Sequence, residues 1–187
     1  MKALGKRLLS ACMMVMLVVI MVVPAFAAGE AIEPLKGSIH HYQSCAATGA
    51  TGYLNLYPTG GVVEEGTALR SWTRTTSKDQ YFKVGTYAEG IAYLVVQTPP
   101  SNDPAAQYTL ALNRAYPSGR AIVWNKDSGA MDSALSISYY NSGDTVIFYL
   151  RNHAGEKLVC PSSGNVPNGT QFVFMNSTGD QIGWRVC

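Results

Sequence analysis

The sequence predicts an all-β domain assembled from three copies of a unit about fifty residues long, and three observations carry that prediction. A motif recurs: Gly66-Thr67-Ala68-Leu69-Arg70-Ser71-Trp72, then after a short polar turn Asp79-Gln80-Tyr81-Phe82-Lys83-Val84. Its second copy runs from Gly119 to Asn125 and from Asp132 to Ile137, and its third from Gly169 to Met175 and from Asp180 to Val186. Gly66, Gly119 and Gly169 are 53 and 50 residues apart, and Phe82, Leu135 and Trp184 are 53 and 49 apart, so the repeat is a structural period. The runs between these marks are short, rich in aromatic, β-branched and leucine residues, and bounded by glycine, proline or polar turns. No amphipathic helical pattern follows the apolar amino terminus, and a turn-dense chain with 18 glycines and nine prolines suits strands.

Taken in order, Gly37–Tyr42 reads as a strand, with His40 and His41 on opposite faces where they cannot readily share a metal. The first repeat, about residues 53–97, offers Tyr53–Tyr57, Ala68–Trp72, Tyr81–Tyr87 and Ile91–Gln97. Within it, Leu69 and Ser71 face one side of a strand, and Arg70 and Trp72 the other. Thr98–Pro104 is a surface link by composition. The second repeat, about 108–150, offers Tyr108–Asn113, Ala121–Trp124, Ala134–Tyr140 and Thr145–Leu150. The third, about 157–187, offers Lys157–Cys160, Gln171–Met175 and Gly183–Val186 and stops one strand short, which Gly37–Tyr42 can supply. A unit this short cannot bury both faces of its hairpins alone, so three close on one core. Phe82, Trp124, Phe174 and Trp184 fall on inward positions, and Cys160 reads as a small buried hydrophobe.

The chain opens with Lys2, Lys6 and Arg7, an apolar run from Leu8 to Val23, and a small-x-small site at Ala25-Phe26-Ala27. This is the pattern of a secretory signal peptide, cut after Ala27, and its style is bacterial. Residues 28–36 form a flexible lead and residues 37–187 the domain. Removing residues 1–27 from 187 leaves 160, one domain with its own core and no membrane span. The leader takes three of 14 basic residues and none of 12 acidic ones, so the mature chain carries a charge of −1 and gives no sign of nucleic-acid binding. Export permits disulfides, and a closed fold with adjacent termini would pair Cys45 with Cys187.

Twelve strands in three repeats, with Gly-Thr-x-Leu-x-x-Trp and then Gln-x-Phe in the first, resemble the β-trefoil of the ricin B-chain, or QxW, lectin family. The resemblance covers about residues 37–187. It is strongest in the first repeat and weakest in the second, where Ser133 and Leu135 replace the glutamine and the aromatic. It implies a shallow galactose-type pocket in each repeat, with an aromatic stacked on the sugar and polar side chains on its hydroxyls. In the first repeat it places Trp72 at the stacking position, Arg70 at the polar position of the second strand and Asp79 before the glutamine. Pro58-Thr59-Gly60 occupy the turn where the family has a further aspartate. In the second repeat Asn125 and Val123 take the stacking and polar positions, leaving Asp132; in the third Met175 and Val173 take them, leaving Asp180. At most one weak sugar site follows, in the first repeat.

Read from the residues alone, Gln80 and Gln181 brace turns, Asp79, Asp132 and Asp180 cap them, and Glu64-Glu65 is a solvated loop. No nucleophile elbow, metal-ligand cluster or phosphate loop occurs, so the sequence points away from an enzyme and requires no cofactor. The resemblance implies a secreted module whose partner is a glycan or glycoprotein. The alternative is a β-trefoil protein-interaction module, an inhibitor or toxin-associated subunit, binding a protein partner through loops such as Tyr57–Glu65 or Thr98–Gln107.

Overall fold

A computed structural model describes residues 39–44, 51–57, 61–88, 91–128, 131–142, 145–161, 164–176 and 183–186. The leader, the lead segment, Cys45, Cys187, Asp180 and Gln181 lie outside the described residues, and so do the expectations placed on them. The strands are β1 (Ile39–His40), β2 (Tyr42–Ser44), β3 (Tyr53–Tyr57), β4 (Ala68–Trp72), β5 (Phe82–Ala88), β6 (Ile91–Val96) and β7 (Leu110–Arg114). They continue as β8 (Ala121–Asn125), β9 (Leu135–Ser142), β10 (Thr145–Asn152), β11 (Lys157–Val159), β12 (Val173–Met175) and β13 (Trp184–Val186). Helical content among the described residues is limited to short 3-10 turns, two of which, Lys78–Gln80 and Met131–Ser133, occupy the same place in successive repeats.

Strand pairing repeats three times. First strands pair with second strands: β3 with β4, β7 with β8, β11 with β12. Third strands pair with fourth strands: β5 with β6, β9 with β10, and β13 with β2. Phe82, Leu135 and Trp184, all fully buried, mark the equivalence. Each pairs within its own hairpin, with Val96, Asn152 and Ser44. Each also pairs with the fourth strand of the preceding repeat, at His40, Ala92 and Phe148. The amino-terminal segment is therefore the missing fourth strand of the third repeat. Among the described residues it comprises Ile39–His40 and Tyr42–Ser44, interrupted at His41, and it extends past the predicted end at Tyr42.

The three second strands meet on the pseudo-three-fold axis. Bridges Ala68↔Ile122, Arg120↔Val173 and Arg70↔Gln171 close a triangle in which Ala68, Arg120 and Gln171 are equivalent. At its centre the Gln171 amide Nε2 donates to Leu69 O (3.0 Å), Ala121 O (3.1 Å) and Phe172 O (2.8 Å), one carbonyl from each repeat. Below the axis leucine is the commonest core residue, and aromatic pairs close the core. Phe172 meets Trp184 edge-on (5.0 Å, 84°), and the Trp184 indole N–H donates to Leu158 O at 3.0 Å, so its one polar atom is paired inside an apolar shell. Each such side chain removed from water stabilises the fold by roughly 1.5–3 kcal/mol. Tyr42 packs edge-on against Phe82, and burial pushes its hydroxyl well above the ordinary phenol range.

Alternation along β4 is as the sequence predicts, with Leu69 and Ser71 buried and Arg70 and Trp72 only partly so. Phe82, Phe174, Trp184 and Cys160 are likewise buried. Trp124 is the correction: it is 36 % exposed, and Val123 points inward in its place. The reason is a slip of one residue in the second repeat. Ser71 N–H donates to Thr170 O, Val123 N–H to Thr67 O, and Phe174 N–H to Gly119 O. Gly119 thus stands level with Thr67 and Thr170, the residues that follow the other two glycines. It has φ +73°, and a Cβ there would lie 2.9 Å from Phe174 O, so the close approach requires glycine. Counting from the glycine places every β8 residue on the wrong face, because side chains alternate with period two.

Candidate functional site

In the first repeat, β4 and the following 3-10 turn carry Trp72 and Asp79 to one cleft of about 310 Å³, with Asn55, Leu56, Tyr57, Thr75 and Ser77 completing the wall. Trp72 stands at the end of β4 on its outer face, 5.9 Å from the Tyr57 ring at 48°. Asp79 accepts hydrogen bonds from the Ser77 hydroxyl (3.0 Å) and the Thr98 hydroxyl (3.0 Å), which fix its carboxylate. Gln80 braces the loop beneath. Buried completely, it donates to Thr73 O (2.8 Å) and accepts from Thr75 N–H (2.9 Å). Arg70, expected on the sugar, does not line this cleft. Its guanidinium lies 5.0 Å over the Tyr57 ring and donates to Gly169 O at 3.1 Å, so it steadies the aromatic wall.

A second cleft, of about 410 Å³, occupies the equivalent place in the second repeat. Asn113 lies across from Ile122 as Asn55 lies across from Arg70, and Trp124 lies across from Ala111 as Trp72 does from Tyr53. Asp132, from the second 3-10 turn, corresponds to Asp79. The stacking position of this repeat is therefore held by Trp124, not Asn125, and Ile122 stands where Val123 was expected. Gly66, Arg114, Ala115, Tyr116 and Arg120 complete the wall, and Tyr116 is 87 % exposed at its rim. Beneath it the buried Asn113 amide donates to the buried Ser133 hydroxyl (2.8 Å), so Ser133 serves in place of Gln80.

An ion pair braces this second cleft. Arg114 grips Glu156 through Nε–Oε2 (2.5 Å) and Nη2–Oε1 (3.1 Å), a bidentate pair. That hydrogen-bonded guanidinium holds the Glu156 carboxyl below its usual range. Burial opposes the shift, and the Asn152 amide, at 2.8 Å, reinforces it. His153 Nδ1, from the same turn as Glu156, lies 3.5 Å from Asp132 Oδ1. At the third repeat Met175 is exposed at the stacking position, and most of the remaining wall lies outside the described residues.

Trp124, Asn113 and Tyr116 are the wall residues that glycine-anchored reading misses. Among the described residues, no three His, Cys, Asp or Glu side chains are grouped to hold a metal.

No protein-family model matches the sequence, and no curated protein matches it. Solved structures do. The designed three-fold symmetric protein ThreeFoil superposes with a TM-score of 0.58 at 17% identity, over 79% of this chain and 96% of that one. The Rhizoctonia solani agglutinin gives 0.54 at 14% identity, over 80% and 93%. The Haemophilus ducreyi cytolethal distending toxin gives 0.54 at 10% identity, over 89% and 87%. Together with the thrice-repeated pairing, these likenesses make the chain a β-trefoil.

Proposed function

We propose that this protein is a secreted carbohydrate-binding trefoil of the ricin B-like type, acting by binding and not by catalysis. The observation that carries the reading is the convergence of Trp72 and Asp79, from different elements, on one polar-walled cleft of about 310 Å³, near the lower end of ligand pockets at roughly 300–1,000 Å³. An indole offers an apolar face to the C–H side of a sugar, while Asp79 and Asn55 offer polar atoms to its hydroxyls. Affinity is weak, because two of the Asp79 acceptor sites are engaged by Ser77 and Thr98, and the aspartate typical of the family's first turn is replaced by Pro58-Thr59-Gly60. Arg70 acts through Tyr57 as a positioning residue. The likeness to an agglutinin supports the reading. A glycan array probed with the wild type and with Trp72→Ala, both shown folded by circular dichroism, tests it. Neutral-sugar binding that the variant loses is the expected result, and silence from a folded wild type refutes it.

A second reading, a toxin-associated protein-interaction subunit, is favoured by the likeness to the cytolethal distending toxin over 89% of this chain and by the exposed Tyr116. Its test is capture of one defined protein partner in a glycan-independent complex that Tyr116→Ala abolishes.

A further inference from the structure

We infer that the second-repeat cleft is a separate binding site for an acidic oligosaccharide, with a carboxylated sugar on Arg120 and a neighbouring ring on Trp124. The inference rests on the carbohydrate reading but concerns a different cleft and a different class of sugar.

The two clefts share a backbone frame and differ in charge. Among the described residues no cationic side chain lines the first cleft, whereas Arg114 and Arg120 both line the second. Arg114 is satisfied by Glu156. Arg120 is exposed, its Nε donates to the Ser118 hydroxyl at 3.2 Å, and among the described residues its two terminal nitrogens have no acceptor. A guanidinium pinned at Nε with its outer edge open presents two parallel N–H groups, a fork that fits a carboxylate. At the equivalent position the first repeat has Ala68, which cannot supply this group.

Arg120, the residue just before β8, and Ile122 and Trp124 within it fall on alternate positions of one face, so the guanidinium-bearing residue and the indole-bearing residue start about 13 Å apart along the chain. That span exceeds one six-membered ring and suits at least two linked sugars. Asn113, opposite Ile122 midway along this face, and Asp132 also line the cleft and would take hydroxyls, Asp132 lying beside His153. Within this cleft Arg120 would hold a carboxylate and Asp132 would repel one, which fixes where the acid group sits. Its larger volume, about 410 Å³ against 310 Å³, accommodates the longer ligand.

The test is titration calorimetry with the protein against a hexuronic acid disaccharide, its carboxyl-reduced neutral counterpart, and a sulfated neutral disaccharide. The expected result is a ten- to hundredfold preference for the uronate, the range a charge-assisted bidentate contact supplies. Arg120→Ala should abolish the preference, Arg120→Lys should keep only part of it, and Trp124→Ala should weaken the acid and its reduced form alike. Trp72→Ala, in the other cleft, should leave the preference intact. Equal affinity for acid and neutral forms, equal affinity for the sulfated sugar, or a preference that survives Arg120→Ala overturns the inference. If neutral sugars bind in a Trp72-dependent manner and the uronate gains nothing, this inference fails alone. If no sugar of any kind binds a folded protein, the carbohydrate reading falls with it.

Discussion

The first and second clefts occupy the same position on the trefoil frame, yet each is supported and charged differently. Under the first, one buried glutamine ties two backbone groups of a loop together. Under the second, an asparagine and a serine pair with each other, and an Arg114–Glu156 pair reaches across to the start of the third repeat. The first wall sets Tyr57 beside Trp72; the second sets Trp124 apart from an exposed Tyr116. Repetition thus fixes where a cleft can form, and a handful of side chains fixes what it can hold.

The comparison can be broken from its foundations outward. Gln80→Leu leaves Thr73 O and Thr75 N–H without their partner and should cost about 2 kcal/mol in chemical denaturation, disorganising the first cleft while ligand binding at the second persists. Trp72→Ala and Trp124→Ala should each lower affinity about tenfold at their own cleft only, since both residues are partly exposed and the fold survives their loss. Paired titrations with neutral and acidic sugars check that independence. Ser133→Ala removes the acceptor of the buried Asn113 amide and should cost about 1 kcal/mol, less than Gln80→Leu because one bond is lost and not two. The smallest effect concerns pH. Glu156 has a lowered ionisation point in the folded state, so its contribution is present above the ordinary carboxylate value, near pH 4, and fades as pH falls through the folded value. Glu156→Gln should flatten that acid limb of the stability curve by under about 1 kcal/mol.

Much of the frame was legible in the residues. The inward set of Leu69, Phe82, Leu135 and Trp184, and the borrowed amino-terminal strand, follow from a repeat that must close on one core. The second cleft was not legible, for one reason. Glycines mark the period but not the register, and Gly119 sits one structural position later in its repeat than Gly66 and Gly169. A slip of one reverses the face of every β8 side chain and hid Trp124 in a supposed core. Arg70 illustrates a different limit: its place on the strand was right, but alternation fixes only a face, and a long side chain on that face chose Tyr57 and Gly169 O.

Gln171 has a consequence for how far the three repeats can resemble one another. Its carboxamide fills a point that belongs equally to all three, with two N–H groups shared among three carbonyls. Only one side chain can stand there, and the equivalent residues are Ala68, which is too short, and Arg120. Three identical sequences would send three carboxamides to one place or leave the carbonyls to something else. The axis is therefore a site of enforced asymmetry. Once one repeat supplied the plug, the other two were released from that duty, and the residues there became free to take up separate roles.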